Sequence, residues 1–189
     1  MKPPRILAFS GSLRAASFNQ KLATLAAAAA RDAGAEVTLI SLRDFRMPLF
    51  DEDLETSEGM PEAAAKLKAL FAAHDGLIIA SPEYNSTITA ALKNAIDWVS
   101  RATSPDEPPL SVLSGKTAAI LAASPGGYGG SRGLIQLRPF LVNIGITVLP
   151  DQVTIPTAHQ AFGADGNLID PAQAAAVTAL GAKLAATLA

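Results

Sequence analysis

Apolar residues along this chain fall into two kinds of run that alternate. Short unbroken runs, such as Ile6-Leu7-Ala8-Phe9 and Leu77-Ile78-Ile79-Ala80, carry no polar residue on either face. Strands read this way when both sides of a sheet are covered. Longer Ala/Leu-rich stretches with charged residues spaced through them read as helices. The pattern predicts strands over 5–9, 36–41, 76–81, 117–123 and 147–149, the last resuming over 152–155. It predicts helices over 19–33, 61–73, 89–100, 131–144 and 171–188. Gly34 is a good stop for the first helix and Pro61 a good start for the second. Residues 42–59, with Pro48 and the acidic Asp51, Glu52 and Asp53, read as a solvated loop, as does the Pro/Ser-rich segment 102–114.

Strands and helices in strict alternation point to the α/β class, a doubly wound parallel sheet with helices on both faces. The expected strand order is 2-1-3-4-5, with the whole chain, 1–189, as one domain. In such a sheet ligands bind at the carboxyl ends of the strands, where the winding reverses. The loops after the first, third and fourth strands should then face one crevice.

All three loops are unusual. The first, Ser10-Gly11-Ser12-Leu13-Arg14-Ala15-Ala16-Ser17-Phe18-Asn19, is dense in hydroxyls and holds one guanidinium just before a helix. Backbone N–H groups and the positive end of the helix dipole make such a loop an anion site, most naturally for a phosphate. It has neither the Gly-Lys-Ser/Thr ending of a P-loop nor the glycines of the dinucleotide fingerprint. It lacks the cysteine of a phosphatase loop, so it is suited to holding a phosphate rather than cleaving one. The second, Ser81-Pro82-Glu83-Tyr84-Asn85-Ser86-Thr87, can edge a flat heteroaromatic ring, with Asn85 and Ser86 able to cap the next helix. Taken alone, it reads equally well as a turn and a cap. The third, from Ser124 to Gly133, has five glycines in ten residues, which permits close backbone approach to a ligand. Together they suit one long, flat, phosphorylated ligand.

Composition narrows the chemistry. Hydrophobic residues make up 49% and charged residues 17%, which argues against disorder. The net charge of −2 and the lack of a basic run argue against a nucleic-acid partner. No apolar stretch is long enough for a membrane helix, and no signal-peptide core follows the first residues. The expected location is the cytoplasm. With no cysteine and two histidines, thiolate chemistry is excluded and no metal site is expected. His74 reads as a solvated helix cap, Trp98 as a buried anchor, Glu83 as a charged lip of the pocket or an ion-pair partner for a neighbouring subunit, and Tyr128 and Arg132 as groups able to reach such a subunit.

Four segments carry a family resemblance: Gly11-Ser12-Leu13-Arg14 with Ser17 and Asn19; Pro82-Glu83-Tyr84-Asn85; Leu92-Lys93-Asn94-Ala95-Ile96-Asp97-Trp98; and Ser124 with Gly126, Gly127, Gly129, Gly130 and Arg132. Together they resemble the NADPH-dependent FMN reductase family, flavodoxin-like proteins that include quinone, azo and chromate reductases. The resemblance implies an FMN phosphate held by Ser10, Ser12, Arg14, Ser17, Asn19 and Gln20. It implies an isoalloxazine ring lined by Pro82, Glu83, Tyr84 and Asn85, with Ser124, Gly126 and Gly127 on its other side. It implies hydride passing from NADPH or NADH to FMN and on to a small acceptor: a flavin, quinone, azo compound or metal oxyanion. No protein group is then needed as nucleophile or base. It implies a homodimer or homotetramer. The family usually has Pro-Gly where this chain has Thr89-Ala90. The competing readings are a flavodoxin-type electron carrier without NAD(P)H activity of its own, disfavoured by the near-neutral charge, and a nucleotide-binding domain without redox function.

Overall fold

The computed structural model describes residues 2–189. Five strands form one sheet: β1 (Arg5–Ser10), β2 (Glu36–Leu39), β3 (Gly76–Ala80), β4 (Thr117–Ala123) and β5 (Thr147–Ile155). Their order is β2-β1-β3-β4-β5 and every neighbouring pair is parallel. The doubly wound sheet expected from the hydropathy pattern is the one observed. The helices are α1 (Phe18–Asp32), α2 (Glu52–Glu58), α3 (Glu62–Ala73), α4 (Ala90–Val99), α5 (Ser131–Asn143), α6 (Ala158–Ala161) and α7 (Pro171–Leu188).

The unbroken apolar runs split by alternate residue onto two cores. Ile6, Ala8, Ile78, Ala80, Ala119 and Leu121 pack toward α1 and α7. Leu7, Phe9, Leu77, Ile79, Ala118 and Ile120 pack toward α3, α4 and α5. Two layers of buried side chains therefore hold the central strands rigid, and their carboxyl ends form a fixed edge for the loops that follow.

Local chemistry sets the helix starts. Ser17 caps α1 by accepting from Gln20 N, Thr89 caps α4 by accepting from Leu92 N, and Asp170 caps α7 just before Pro171. Asn85 and Ser86, expected as caps for α4, instead sit at the tip of a tight turn with φ of 51° and 65°. Tyr84 and Thr87 exchange both backbone hydrogen bonds across that tip. The segment read as a loop over 42–59 contains a 3-10 turn at Leu42–Asp44 and the short helix α2, capped by Asp51. β5 is one strand whose pairing with β4 slips between Ala118 and Ile120, next to Pro150. Proline has no N–H for the ladder and is tolerated because β5 lies at the sheet edge. Among the described residues no helix is long and apolar enough to cross a membrane.

Candidate functional site

β1, β3 and β4 end side by side, so their three loops meet at one edge of the sheet. Gly11 N donates to Ala80 O at 3.0 Å, and Ser81 N donates to Leu121 O at 2.8 Å, locking the loop roots together. Between them lies a cleft lined by Ser12, Arg14, Ser17, Asn19, Pro82, Glu83, Tyr84 and Ser124, all expected from the sequence. Phe18, Ala123 and Pro125 complete it. These three carry no polar side chain, so local chemistry gave no reason to single them out.

The first loop is a set of donors without acceptors. Ser10 Oγ accepts from Ser12 N at 3.1 Å, Ser12 Oγ from Arg14 N at 3.2 Å, and Ser17 Oγ from Gln20 N at 3.2 Å. Each hydroxyl is used as an acceptor, which leaves its own O–H free to donate. Among the described residues the N–H groups of Ala15, Ala16, Ser17, Phe18 and Asn19 make no hydrogen bond within the chain, and the Arg14 guanidinium has no acidic partner. Free N–H groups at a helix start, hydroxyls and an unpaired guanidinium fit a phosphate dianion.

Asn19 and Gln20 hold the loop in place. Asn19 Nδ2 donates to Ala123 O at 2.7 Å and Asn19 Oδ1 accepts from Ala123 N at 2.9 Å. Its buried amide therefore pins α1 to the end of β4 and has both polar atoms engaged. Gln20 lies outside the cleft wall; its Nε2 donates to Ile40 O at 3.1 Å, beyond the end of β2. Gln20 Oε1 is buried without a partner. Ser10 is fully buried beneath the loop and props Ser12.

The second loop is fastened to the third. Glu83 takes the Arg132 guanidinium through Oε1, at 2.8 Å to Nε and 2.5 Å to Nη2, while its Oε2 accepts from Gly133 N at 3.0 Å. Glu83 and Arg132, read from sequence as groups able to reach another subunit, thus pair within the chain. Arg132 also lies over the Tyr128 ring at 5.0 Å. The paired Arg132 offsets the negative charge that Glu83 would otherwise present to the cleft. Asn85 stands on the exposed turn tip and Gly126 and Gly127 on the rim, all outside the cleft wall itself.

Not all of the glycine signal concerns a ligand. A Cβ at Gly130 would meet Ala122 Cβ at 2.6 Å, and its φ of 89° disfavours any side chain. That glycine serves the packing of the loop on β4. Gly127 has open space where a side chain would go, so its backbone is accessible from outside.

Thr89, just before α4, has a use for its hydroxyl. It donates to Gly11 O at 2.6 Å while accepting from Leu92 N at 3.1 Å. One buried side chain thus ties the start of α4 to the loop after β1.

His74 caps the carboxyl end of α3, as the sequence suggested, but it is not solvated. It is buried, with Nδ1 2.6 Å from Leu70 O and Nε2 2.8 Å from Thr38 Oγ1, at the amino end of the sheet and away from the cleft. Trp98 is fully buried, its Nε1 donating to Pro48 O. Among the described residues no cluster of His, Asp or Glu could hold a metal ion.

Comparison with known proteins adds independent evidence. Residues 4–160 match the family model described as NADPH-dependent FMN reductase. The chain is 38% identical over 167 residues to an NAD(P)H-dependent FMN reductase of Pseudomonas aeruginosa, covering 88% of this chain and 85% of that protein. It is 37% identical over 145 residues to a quinone reductase of Escherichia coli, covering 77% and 73%. Among solved structures, the flavoenzyme NAD(P)H:(acceptor) oxidoreductase of Paracoccus denitrificans superposes with a TM-score of 0.79 at 26% identity, covering 97% of this chain and 96% of that one.

Proposed function

The chain belongs to the NADPH-dependent FMN reductase family, and on that premise we propose that the cleft holds FMN and that the protein passes reducing equivalents from NAD(P)H to a small acceptor. The observation that carries this reading is the phosphate loop: five N–H groups without acceptors, free hydroxyls and an unpaired Arg14 around the start of α1. When bound, FMN supplies the redox chemistry, taking a hydride equivalent and handing electrons on.

The residues of the chain bind and orient. Ser12, Ser17, Arg14 and the α1 N–H groups would hold the phosphate. Pro82, Glu83, Tyr84 and Ser124 would border the ring, Asn85 its outer edge, and Gly126 and Gly127 would offer backbone along its far side. Ser10, Asn19 and Gln20 fix the loop that does the holding. No side chain here has to move a proton, which agrees with a cleft free of histidine.

The acceptor belongs to the same reading: a quinone or free flavin first, with azo compounds and metal oxyanions open to the same exposed ring. The chain acts as a single domain in the cytoplasm, where NAD(P)H is at hand. It assembles as a homodimer or homotetramer, supported by the exposed Tyr84 and Tyr128. Steady-state NADPH oxidation by the purified protein with a quinone tests the reading. Turnover without any partner protein supports it; FMN binding without turnover by NADPH or NADH makes the protein an electron carrier instead. Light scattering after gel filtration tests the assembly, and a monomer at micromolar concentration would contradict it.

A further inference from the structure

We infer that the pocket on the α4 side of the phosphate loop seats the 2′-phosphoadenosine half of NADPH, with Arg43 and Arg46 as its phosphate-binding groups; this rests on the reductase reading above. The pocket has a volume of about 400 Å³, within the usual range for small-molecule sites. Its surface is apolar, from Leu13, Leu42, Phe45, Met47, Ala91 and Ala95. Two guanidiniums, Arg43 and Arg46, project from the turn after β2 and line the same space. A planar base suits the first feature and a phosphate monoester the second, since the guanidinium fork matches phosphate oxygens.

The remaining arginines are committed elsewhere. Arg5 pairs with Asp75, Arg101 with Glu55, and Arg132 with Glu83. Arg31 donates to Val37 O and Arg138 to Leu149 O. Arg14 lies in the FMN cleft. Among the described residues Arg43 and Arg46 have neither an ion pair nor a side-chain hydrogen bond, and Asp44 between them does not line the pocket.

The pocket is also in the right place and already formed. Leu13 is flanked by Ser12 and Arg14 of the cleft, so the phosphate loop is the ridge between the two spaces. Ala91 precedes Leu92, whose Cβ lies 3.1 Å from where a Gly11 side chain would begin. A dinucleotide reaching from the cleft into this pocket would set its adenosine end against Phe45 and Met47. The wall beyond is fixed by Asn94, which accepts from Phe50 N at 2.8 Å and donates to Pro48 O at 2.9 Å. Phe50 in turn packs edge-on against Trp98. A pre-formed wall lowers the ordering cost of binding.

The test titrates adenosine 2′,5′-bisphosphate and 5′-AMP into the FMN-saturated protein by calorimetry, for wild type and for Arg43→Ala/Arg46→Ala. Both arginines are exposed, so the fold is not at risk. Wild type should prefer the bisphosphate by about tenfold or more, the scale of charge-assisted contacts at an exposed site. The double variant should erase that preference, and in turnover its KM ratio, NADPH over NADH, should rise by about the same factor. Equal binding of the two probes by wild type, or an unchanged ratio in the variant, overturns the assignment. So does a variant whose only change is in oligomeric state. If wild type oxidises neither NADPH nor NADH, the reductase reading fails, and the probe titration still decides the pocket.

Discussion

Asn19→Ala tests how the cleft is built. The Asn19 amide makes two hydrogen bonds to the backbone of Ala123, at 2.7 and 2.9 Å, joining positions 104 residues apart in sequence. Truncation leaves the N–H and C=O of Ala123 without partners at a site where Asn19 is 4% and Ala123 3% exposed. Each orphaned buried group costs about 1–3 kcal/mol. Water entering from the adjacent cleft offsets part of this, so the lower half of the range applies and the sum is about 2–4 kcal/mol. For a chain of this length that corresponds to a fall in Tm of roughly 4–16 °C. Urea unfolding of the flavin-free protein, followed by the fluorescence of the lone Trp98, measures it. The midpoint should fall with the slope unchanged. A loss below about 0.5 kcal/mol, the size of a neutral surface change, would refute the claim that this amide pins α1 to β4.

Other outcomes follow from the same geometry. Arg14→Ala should weaken FMN binding by about one to two powers of ten while riboflavin, which lacks the phosphate, loses far less; equal losses for both ligands would move the phosphate elsewhere. Ser86→Gly should stabilise the protein by about 0.5–1 kcal/mol in thermal unfolding, because Ser86 is held at a φ of 65° that glycine adopts freely; a destabilised variant would mean the hydroxyl has a use. Lys68, with Ser111 and Thr103, holds the Glu107 carboxyl well below the usual carboxylate range. A depressed folded-state value contributes stability above the unfolded value, and that contribution is lost as pH falls toward the folded one. The advantage of wild type over Glu107→Gln in urea midpoint should therefore be flat above about pH 5 and shrink below about pH 4; an advantage equally large at both ends of that range would contradict the ion pair's role.

What could be read from sequence was local. The runs at 6–9 and 77–80 are apolar on both faces because both faces are covered, so strand positions and sheet order followed directly. The three loops announced themselves through hydroxyls and glycines at strand ends. What escaped were contacts between distant positions. Nothing near Glu83 in sequence points to Arg132, 49 residues on, so a pair within the chain looked like a group awaiting a partner. The bond from Asn19 to the backbone of Ala123 could not be read from its place in the motif. His74 looked solvated because its partner Thr38 lies on β2, 36 residues away in sequence. The helix α2 has no buried residue, and without an apolar stripe its periodicity gave no signal. Glycine density in the third loop mixed two causes, packing at Gly130 and open backbone at Gly127, which share one letter in the sequence.

The most direct test of the central claim is the visible spectrum of the FMN-loaded protein, recorded without oxygen before and after one equivalent of NADPH. The flavin band should bleach with no other protein present and return when a quinone is added. A flavin band that persists with NADPH, and again with NADH, would contradict that claim.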